Sequence, residues 1–270
     1  MRHRLEAALA RYCEAFPSQY ESVRQHLTAC HAANLCSQQT LSDLHAEIHR
    51  MSGAAQCMGF RALGREFSRA EERLARALKS SKVDFEELYD ALIMRLDKIE
   101  DLMDEVTPEH SRLISHNLLA EDETENSGSV EEAVLQSSRI LVADDDPYVR
   151  EILQNYLQDM GVGELEILTS GLEVLQALKS FAPDVIITDW NMAPVTGKEL
   201  LNTIRAGEAE IDSSTPVIFF TANNDKLSRM QIEHSGADHF LTKPVSPKVL
   251  RTTLLRVLSD PFGTLSVRFG

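Results

Sequence analysis

The sequence has no apolar run near the ~20 residues needed to cross a bilayer. Its longest ones, such as 184–188 and 216–220, are about as long as a buried strand. The N-terminus MRHRLEAALARYCEAF carries no secretory apolar core, so a cytoplasmic protein without membrane insertion is expected. An excess of basic charge is missing as well. The chain has 27 Lys and Arg against 42 Asp and Glu, net −15. Residues 1–110 hold 14 basic and 18 acidic side chains, residues 111–137 hold 1 and 6, and residues 138–270 hold 12 and 18. Neutralising nucleic-acid phosphates needs a basic footprint, so direct DNA or RNA binding is not expected. The four cysteines, Cys13, Cys30, Cys36 and Cys57, all fall within the first 60 residues. In a chain without an export signal they read as reduced thiols of a helical core rather than as a disulfide framework. His26, Cys30, His31 and Cys36 lack the paired spacings of a zinc site.

The first 107 residues are poor in glycine and hold one proline, Pro17, and their apolar residues recur at three and four spacing. That pattern predicts helices. Pro17-Ser18 is expected to open one, carrying Tyr20, Val23 and Leu27. Thr40 to Asp43 is expected to cap the next, with Leu41, Leu44, Ile48, Met51 and Ala55 on one face and Gly59 at its end. A third runs over 62–79, and a fourth follows the cap candidate Asp84 as far as 106. Residues 1–107 therefore read as a short helix followed by a four-helix bundle. The polar, acidic stretch 108–137, with EDETENSGSVEE at its centre, reads as a linker whose last residues are compatible with helix.

After Ser138 short apolar runs alternate with amphipathic stretches: RILVA, LEILT, DVIITD, PVIFFT and HFLT, each followed by a helical pattern. Five such units over 138–260 imply a five-stranded parallel sheet wound on both faces, with 261–270 as a tail. The fold class is thus an all-α bundle followed by a doubly wound α/β domain. Functional groups of such sheets gather beyond the C-terminal strand ends. Those ends carry Asp144, Asp145 and Asp146 after the first strand, Asp189 after the third, Thr221 after the fourth and Lys243-Pro244 after the fifth. Gathered carboxylates repel one another, and a hard divalent cation such as Mg²⁺ relieves this with one or two carboxylates, backbone oxygen, water and phosphate oxygens. Taken singly, a strand-end Asp can equally be a helix cap and a Lys-Pro a turn.

ILVADDDP, PDVIITDWNMAPVTG, PVIFFTA and GADHFLTKPV together resemble the receiver domain of two-component response regulators, over 138–259. The resemblance implies a phosphoacceptor at Asp189. It also implies Mg²⁺ held by Asp145, Asp189 and the backbone carbonyl of Asn191, with Asp144 acting through water. Thr221 and Lys243 would bind phosphoryl oxygens, and Phe240 would stand at the aromatic switch position without a hydroxyl. Ala193 separates Met192 from Pro194, where the family usually has proline directly after the methionine, while Gly197 keeps its distance from Asp189. Asn191 and Asn223 are candidates to influence how water reaches an acyl phosphate.

In the second helix of the bundle, Gly53 lies one turn beyond His49 on the same face. Glycine inside a helix costs about 0.5–1 kcal/mol relative to alanine, so it needs a reason. Space for a partner beside the His49 ring is one reason, and close helix packing is another. Beside a receiver, His49, Met51, Gly53, Ala54 and Gly59 resemble the acceptor motif of histidine phosphotransfer (HPt) domains over about 17–107, with Ser52 replacing the usual lysine and Arg50, Arg61 or Arg65 available to compensate. The resemblance implies a solvent-facing His49 that carries phosphate. HAEIH is not the zinc-protease HExxH motif, because Glu47 is displaced.

No glycine-rich ATP lid, nucleotide-binding asparagine helix or His-Glu-Ile-Arg-x-Pro segment is recognisable. The phosphoryl group is therefore expected from elsewhere, a sensor histidine kinase or another response regulator being the implied partner. The first expectation is a phosphorelay protein working through His49 and Asp189 with Mg²⁺, not an enzyme acting on small molecules. A phosphorylation-regulated binding module, or a phosphate sink, is the alternative. No helix-turn-helix or cyclase segment is recognisable, so output through transcription is not expected of this sequence.

Overall fold

The first helix of the computed structural model, α1 (Arg2–Ala32), runs straight through Pro17 instead of restarting there. Proline inside a helix removes one hydrogen bond and clashes with the preceding turn, at a cost of about 3 kcal/mol. Here the ring sits on the exposed side, while Leu5, Leu9, Tyr12, Phe16, Tyr20, Val23 and Leu27 form one uninterrupted buried stripe across it. Burying a side chain of this size is worth about 1.5–3 kcal/mol, so the two residues flanking the proline, Phe16 and Tyr20, together outweigh its cost. The expected break is overruled by packing. The structure describes residues 2–33, 35, 37–113, 128–222 and 235–259, and the chain divides into two compact units between residues 114 and 115.

In the N-terminal unit α1 is joined by α2 (Gln38–Cys57), α3 (Arg61–Lys79) and α4 (Phe85–Glu100). The cap of α2 is Ser37, whose hydroxyl accepts from the Thr40 amide at 3.0 Å. The cap therefore stands three residues before the expected Thr40. Gly59 ends α2 as expected, with φ +85°, while the Phe60 and Gly59 amides close back on the carbonyls of Ala55 and Gln56. Asp84 caps α4 through the Glu87 amide, and α4 ends at Glu100, with a short 3₁₀ turn at Met103–Glu105 in place of its expected last turn. Tyr12, Phe16 and Phe67 pack ring against ring in the core, and the Tyr20 hydroxyl is spent on the Leu96 carbonyl at 2.8 Å.

The C-terminal unit opens with α5 (Gly128–Ser137), at the end of the stretch that reads as linker. Leu135 on it is fully buried, and Glu131 pairs with Arg251 at 3.2 Å. Then follow β1 (Arg139–Ala143), α6 (Pro147–Asp159), β2 (Glu164–Leu168), α7 (Gly171–Ala177), β3 (Val185–Thr188), α8 (Gly197–Arg205), β4 (Val217–Thr221), β5 (His239–Thr242) and α9 (Pro247–Ser259). The helix expected over 225–235 between β4 and β5 lies outside the described residues except for Ser235, which is in a turn, and the expected tail, 261–270, lies wholly outside them. All strand pairs are parallel, in the order β2-β1-β3-β4-β5. β3 and β4 are buried along their whole length, as continuous apolar runs covered on both faces must be. The strand order reverses between β1 and β3, and such a sheet opens a crevice at that point beyond its C-terminal edge.

Candidate functional site

Register builds the site. Ala143 pairs with Thr188, so β1 and β3 end side by side, and the Asp189 amide donates to the Ala143 carbonyl at 2.9 Å. Asp144 and Asp189 therefore emerge next to each other, each only 1% exposed. Across from them β5 delivers Lys243, whose amide donates to the Thr221 carbonyl at 2.8 Å. Its Nζ lies 2.7 Å from Asp144 Oδ2 and 3.2 Å from Asp189 Oδ1, with the Phe220 ring centroid at 5.4 Å. Burial raises the Asp144 carboxyl above its ordinary range; Lys243 pulls it back and Asp189 pushes it up again.

The expected residues take different places around this core. Asp145 is half-buried between Asp144 and Asp146. Asp146 takes the capping alternative: it accepts from the Tyr148 and Val149 amides at 2.8 and 3.0 Å and heads α6, with Pro147 in its first turn. Burial raises its carboxyl despite these bonds. The Asn191 amide donates to Asp189 Oδ2 at 2.9 Å. Thr221 is fully buried at the end of β4. Phe240, opposite Phe219 in the ladder, is partly buried and packs on the core formed by Leu141, Ile186 and Phe219. Asn223 lies outside the described residues. Trp190, the single tryptophan, stacks edge-on to Phe219 at 4.8 Å, and its carbonyl accepts from the Gly197 amide at 3.1 Å. At Gly197 a Cβ would stand 2.0 Å from the Asp189 carbonyl oxygen, so only glycine permits this approach.

Among the described residues no three His, Cys, Asp or Glu side chains gather as a metal cluster. His26 meets Glu47 at 3.0 Å and His31 lies 3.8 Å from Asp90, while Cys36 is outside the described residues. Among the described residues of the strand edge, the buried carboxylates of Asp144 and Asp189 outnumber the Lys243 ammonium. This donor set fits Mg²⁺, which takes one or two carboxylates and completes its shell with water, carbonyl and phosphate oxygens. Asp145 and Asn191, the other expected ligands, follow Asp144 and Asp189 in the chain by one and two residues.

In the helical unit His49 departs from expectation. It is 4% exposed, not solvent-facing, because α2 turns it into the α2–α3 seam, where Nδ1 lies 2.8 Å from Oε1 of the equally buried Glu71. The seam continues with Ser52 bonded to Ser68 at 2.9 Å and Gln56 bonded to both. Ser52, at the place of the usual lysine, is thus a packing contact, and the buried Gly53 favours the close-packing explanation of that glycine. Arg50, Arg61 and Arg65 are exposed. His45 stacks parallel to His49 at 6.2 Å, and burial lowers its pKa. Glu71 escaped the sequence reading, although one signal exists: it is an acidic residue inside the apolar arc Phe67, Ala70, Leu74 of α3.

The response regulator receiver domain family matches residues 140–255. Chemotaxis protein CheY-3 of Vibrio cholerae is 32% identical over 127 residues, 47% of this chain and 96% of that protein. Sensor protein GacS of Pseudomonas syringae is 34% identical over 125 residues, 45% of this chain but only 13% of that much longer protein. Among solved structures, chemotaxis protein CheY4 of Vibrio cholerae is 32% identical, covering 44% of this chain and 98% of that one, with a TM-score of 0.41. With its strand order, its strand-end carboxylates and lysine, and a relative matched over nearly its entire length, the chain belongs to the response regulator receiver domain family.

Proposed function

We propose that this is a cytoplasmic two-component phosphorelay protein that accepts a phosphoryl group on Asp189 and exchanges it with a histidine, His49 of the helical unit being the candidate within the chain. The observation that carries the reading is the buried trio of Asp144, Asp189 and Lys243 at the switch point of the sheet. In the forward step an Asp189 carboxylate oxygen attacks phosphorus in line. The O–P bond forms as the donor's N–P bond breaks, and the donor imidazole keeps the electron pair. Little covalent help is needed beyond positioning and charge neutralisation. Lys243 supplies a buried positive charge for a phosphoryl oxygen, and Thr221 a hydroxyl. When bound by Asp145, Asp189 and the Asn191 carbonyl, with Asp144 acting through water, Mg²⁺ would neutralise the remaining phosphoryl charge. In transfer to histidine the O–P bond breaks, its electron pair returns to Asp189, and an N–P bond forms on a neutral ring. With the Nδ1 proton donated to Glu71, Nε2 would be the nitrogen that forms that bond. The phosphodonor and onward partners are a sensor histidine kinase, a second response regulator, or both.

The burial of His49 supports a second reading, in which the helical unit docks a partner without carrying phosphate and only Asp189 is modified. One experiment separates the two. The full chain is incubated with Mg²⁺ and labelled acetyl phosphate, and the label is tested for acid and alkali stability in wild type, Asp189→Ala and His49→Ala. Alkali-labile label that needs Asp189 and disappears with EDTA supports the receiver chemistry. Acid-labile label that needs both residues supports the relay, whereas label confined to Asp189 favours the docking reading. Absence of any label on wild type refutes both.

A further inference from the structure

We infer that Arg150 is a positioning residue for the acidic loop, holding Asp145 where Mg²⁺ is to be bound; this rests on the metal reading above. Of the three successive aspartates, Asp145 is the only one not buried, and both neighbours are fixed. On one side, Asp146 is locked as the cap of α6, and its own amide donates to Asp144 Oδ1 at 3.0 Å. On the other, Asp144 is tied through its side chain to Lys243 and through its amide to the Leu168 carbonyl at 3.3 Å. The Asp144 carbonyl, which leads directly into Asp145, accepts a part-buried 2.6 Å bond from Arg150 Nη1. Arg150 itself stands on the helix that Asp146 caps, its amide bonded to the Asp146 carbonyl at 3.1 Å. Arg150 therefore closes a ring from helix to loop around Asp145. Burial raises the Asp146 carboxyl, and the Arg150 charge is a minor opposing pull on it.

The sign of one measurement separates positioning from charge. Removing a cation near a divalent-metal site should by Coulomb's law tighten metal binding. Removing a clamp should weaken it, because the loop must then be ordered at the expense of binding, and groups behind a metal ligand typically contribute about 10–100-fold in affinity. The test titrates MgCl₂ into the full chain by calorimetry, and follows Trp190 fluorescence as a second reading beside Asp189, in wild type, Arg150→Ala, Arg150→Lys and Asp145→Asn. The expected result is a Mg²⁺ Kd raised about 10-fold in Arg150→Ala, with most of the loss recovered in Arg150→Lys and a cooperative melt retained in both. Unchanged or tighter binding in Arg150→Ala, with wild type binding and Asp145→Asn impaired, overturns the positioning role alone. A wild type that shows no saturable Mg²⁺ binding overturns the metal reading, and this inference with it.

Discussion

Adding one methyl group at Gly197 tests the link between backbone packing and phosphoryl chemistry. Gly197 opens α8, and an alanine there would place its Cβ 2.0 Å from the Asp189 carbonyl oxygen, with the Phe219 ring at 3.0 Å. Since Cβ atoms essentially never approach below 3.0 Å, the backbone carrying Asp189 or the start of α8 must shift by at least 1 Å, the difference between the two distances. Overpacking of this kind costs about 1–3 kcal/mol. Asp189 is held by its amide to Ala143 and by its carboxylate to Lys243 and the Asn191 amide, so a shift of its carbonyl is transmitted to the proposed acceptor. A 1 Å displacement of a reacting group can cost on the order of 100-fold in rate. Gly197→Ala should therefore lower the urea midpoint of the receiver unit by the equivalent of about 1–3 kcal/mol and slow labelling by acetyl phosphate roughly 100-fold. Gly207→Ala is the control: it has φ +72° and nothing within 4 Å of an added Cβ. It carries backbone strain of about 1 kcal/mol but no push on Asp189, so its labelling rate should be that of wild type. If Gly197→Ala labels as fast as wild type at unchanged stability, Asp189 is not held as described.

Three further outcomes are expected. Lys243→Met should destabilise the receiver unit by about 3–5 kcal/mol in metal-free urea melts, because it strands two buried carboxylates; an unchanged midpoint would mean that the pairs carry no weight. Glu71→Ala should cost the helical unit about 1–3 kcal/mol by leaving a buried ring nitrogen without its carboxylate, while Asp189 labelling stays as in wild type. An unchanged midpoint in Glu71→Ala would mean that the buried His49–Glu71 contact carries no weight. His239, close to Arg256 and partly buried, has its pKa lowered from 6.5 to about 4, burial being the larger cause. The unfolded state then binds the extra proton between those values, so stability is present above pH 6.5 and is lost as pH falls toward 4. His239→Gln should remove on the order of 1 kcal/mol of the loss between about pH 7 and pH 5, a figure reduced for the partly exposed ring, and identical melting shifts in both proteins would refute this.

What could be read from the sequence divides by range along the chain. β3 and β4 were legible because strands covered on both faces must be apolar throughout, and VIIT and VIFFT carry that signal in four and five residues. The convergence of Asp144, Asp189 and Lys243 was legible for a related reason: once the strands are parallel, their C-terminal ends share one edge, and residues 45 and 54 positions apart become neighbours. Caps were legible to within a turn, Asp84 directly and Ser37 only after a three-residue correction, because Ser37, Thr40 and Ser42 offer similar hydroxyls and only the path of the preceding chain selects one. Pro17 misled because a local propensity of about 3 kcal/mol was weighed without the buried stripe that spans it.

His49 marks a different limit. Its spacing to Gly53 was visible, but exposure depends on how α2 is rotated against α3. That rotation is set by side chains 16 to 22 residues away, Ser68 and Glu71, of which only the latter left a trace as an acid within an apolar arc. Arg150 is harder still, since a guanidinium that donates to a backbone carbonyl six residues back imposes no pattern on the residues between. Yet this bond and the Gly197 approach fix the geometry of the carboxylates from either side: one at the loop after β1, the other at the loop after β3. The sequence names the candidate groups because the proposed chemistry demands particular side chains. The backbone contacts that aim them become visible only in the folded chain, and it is there that substitutions outside the carboxylate–lysine trio should alter the chemistry most.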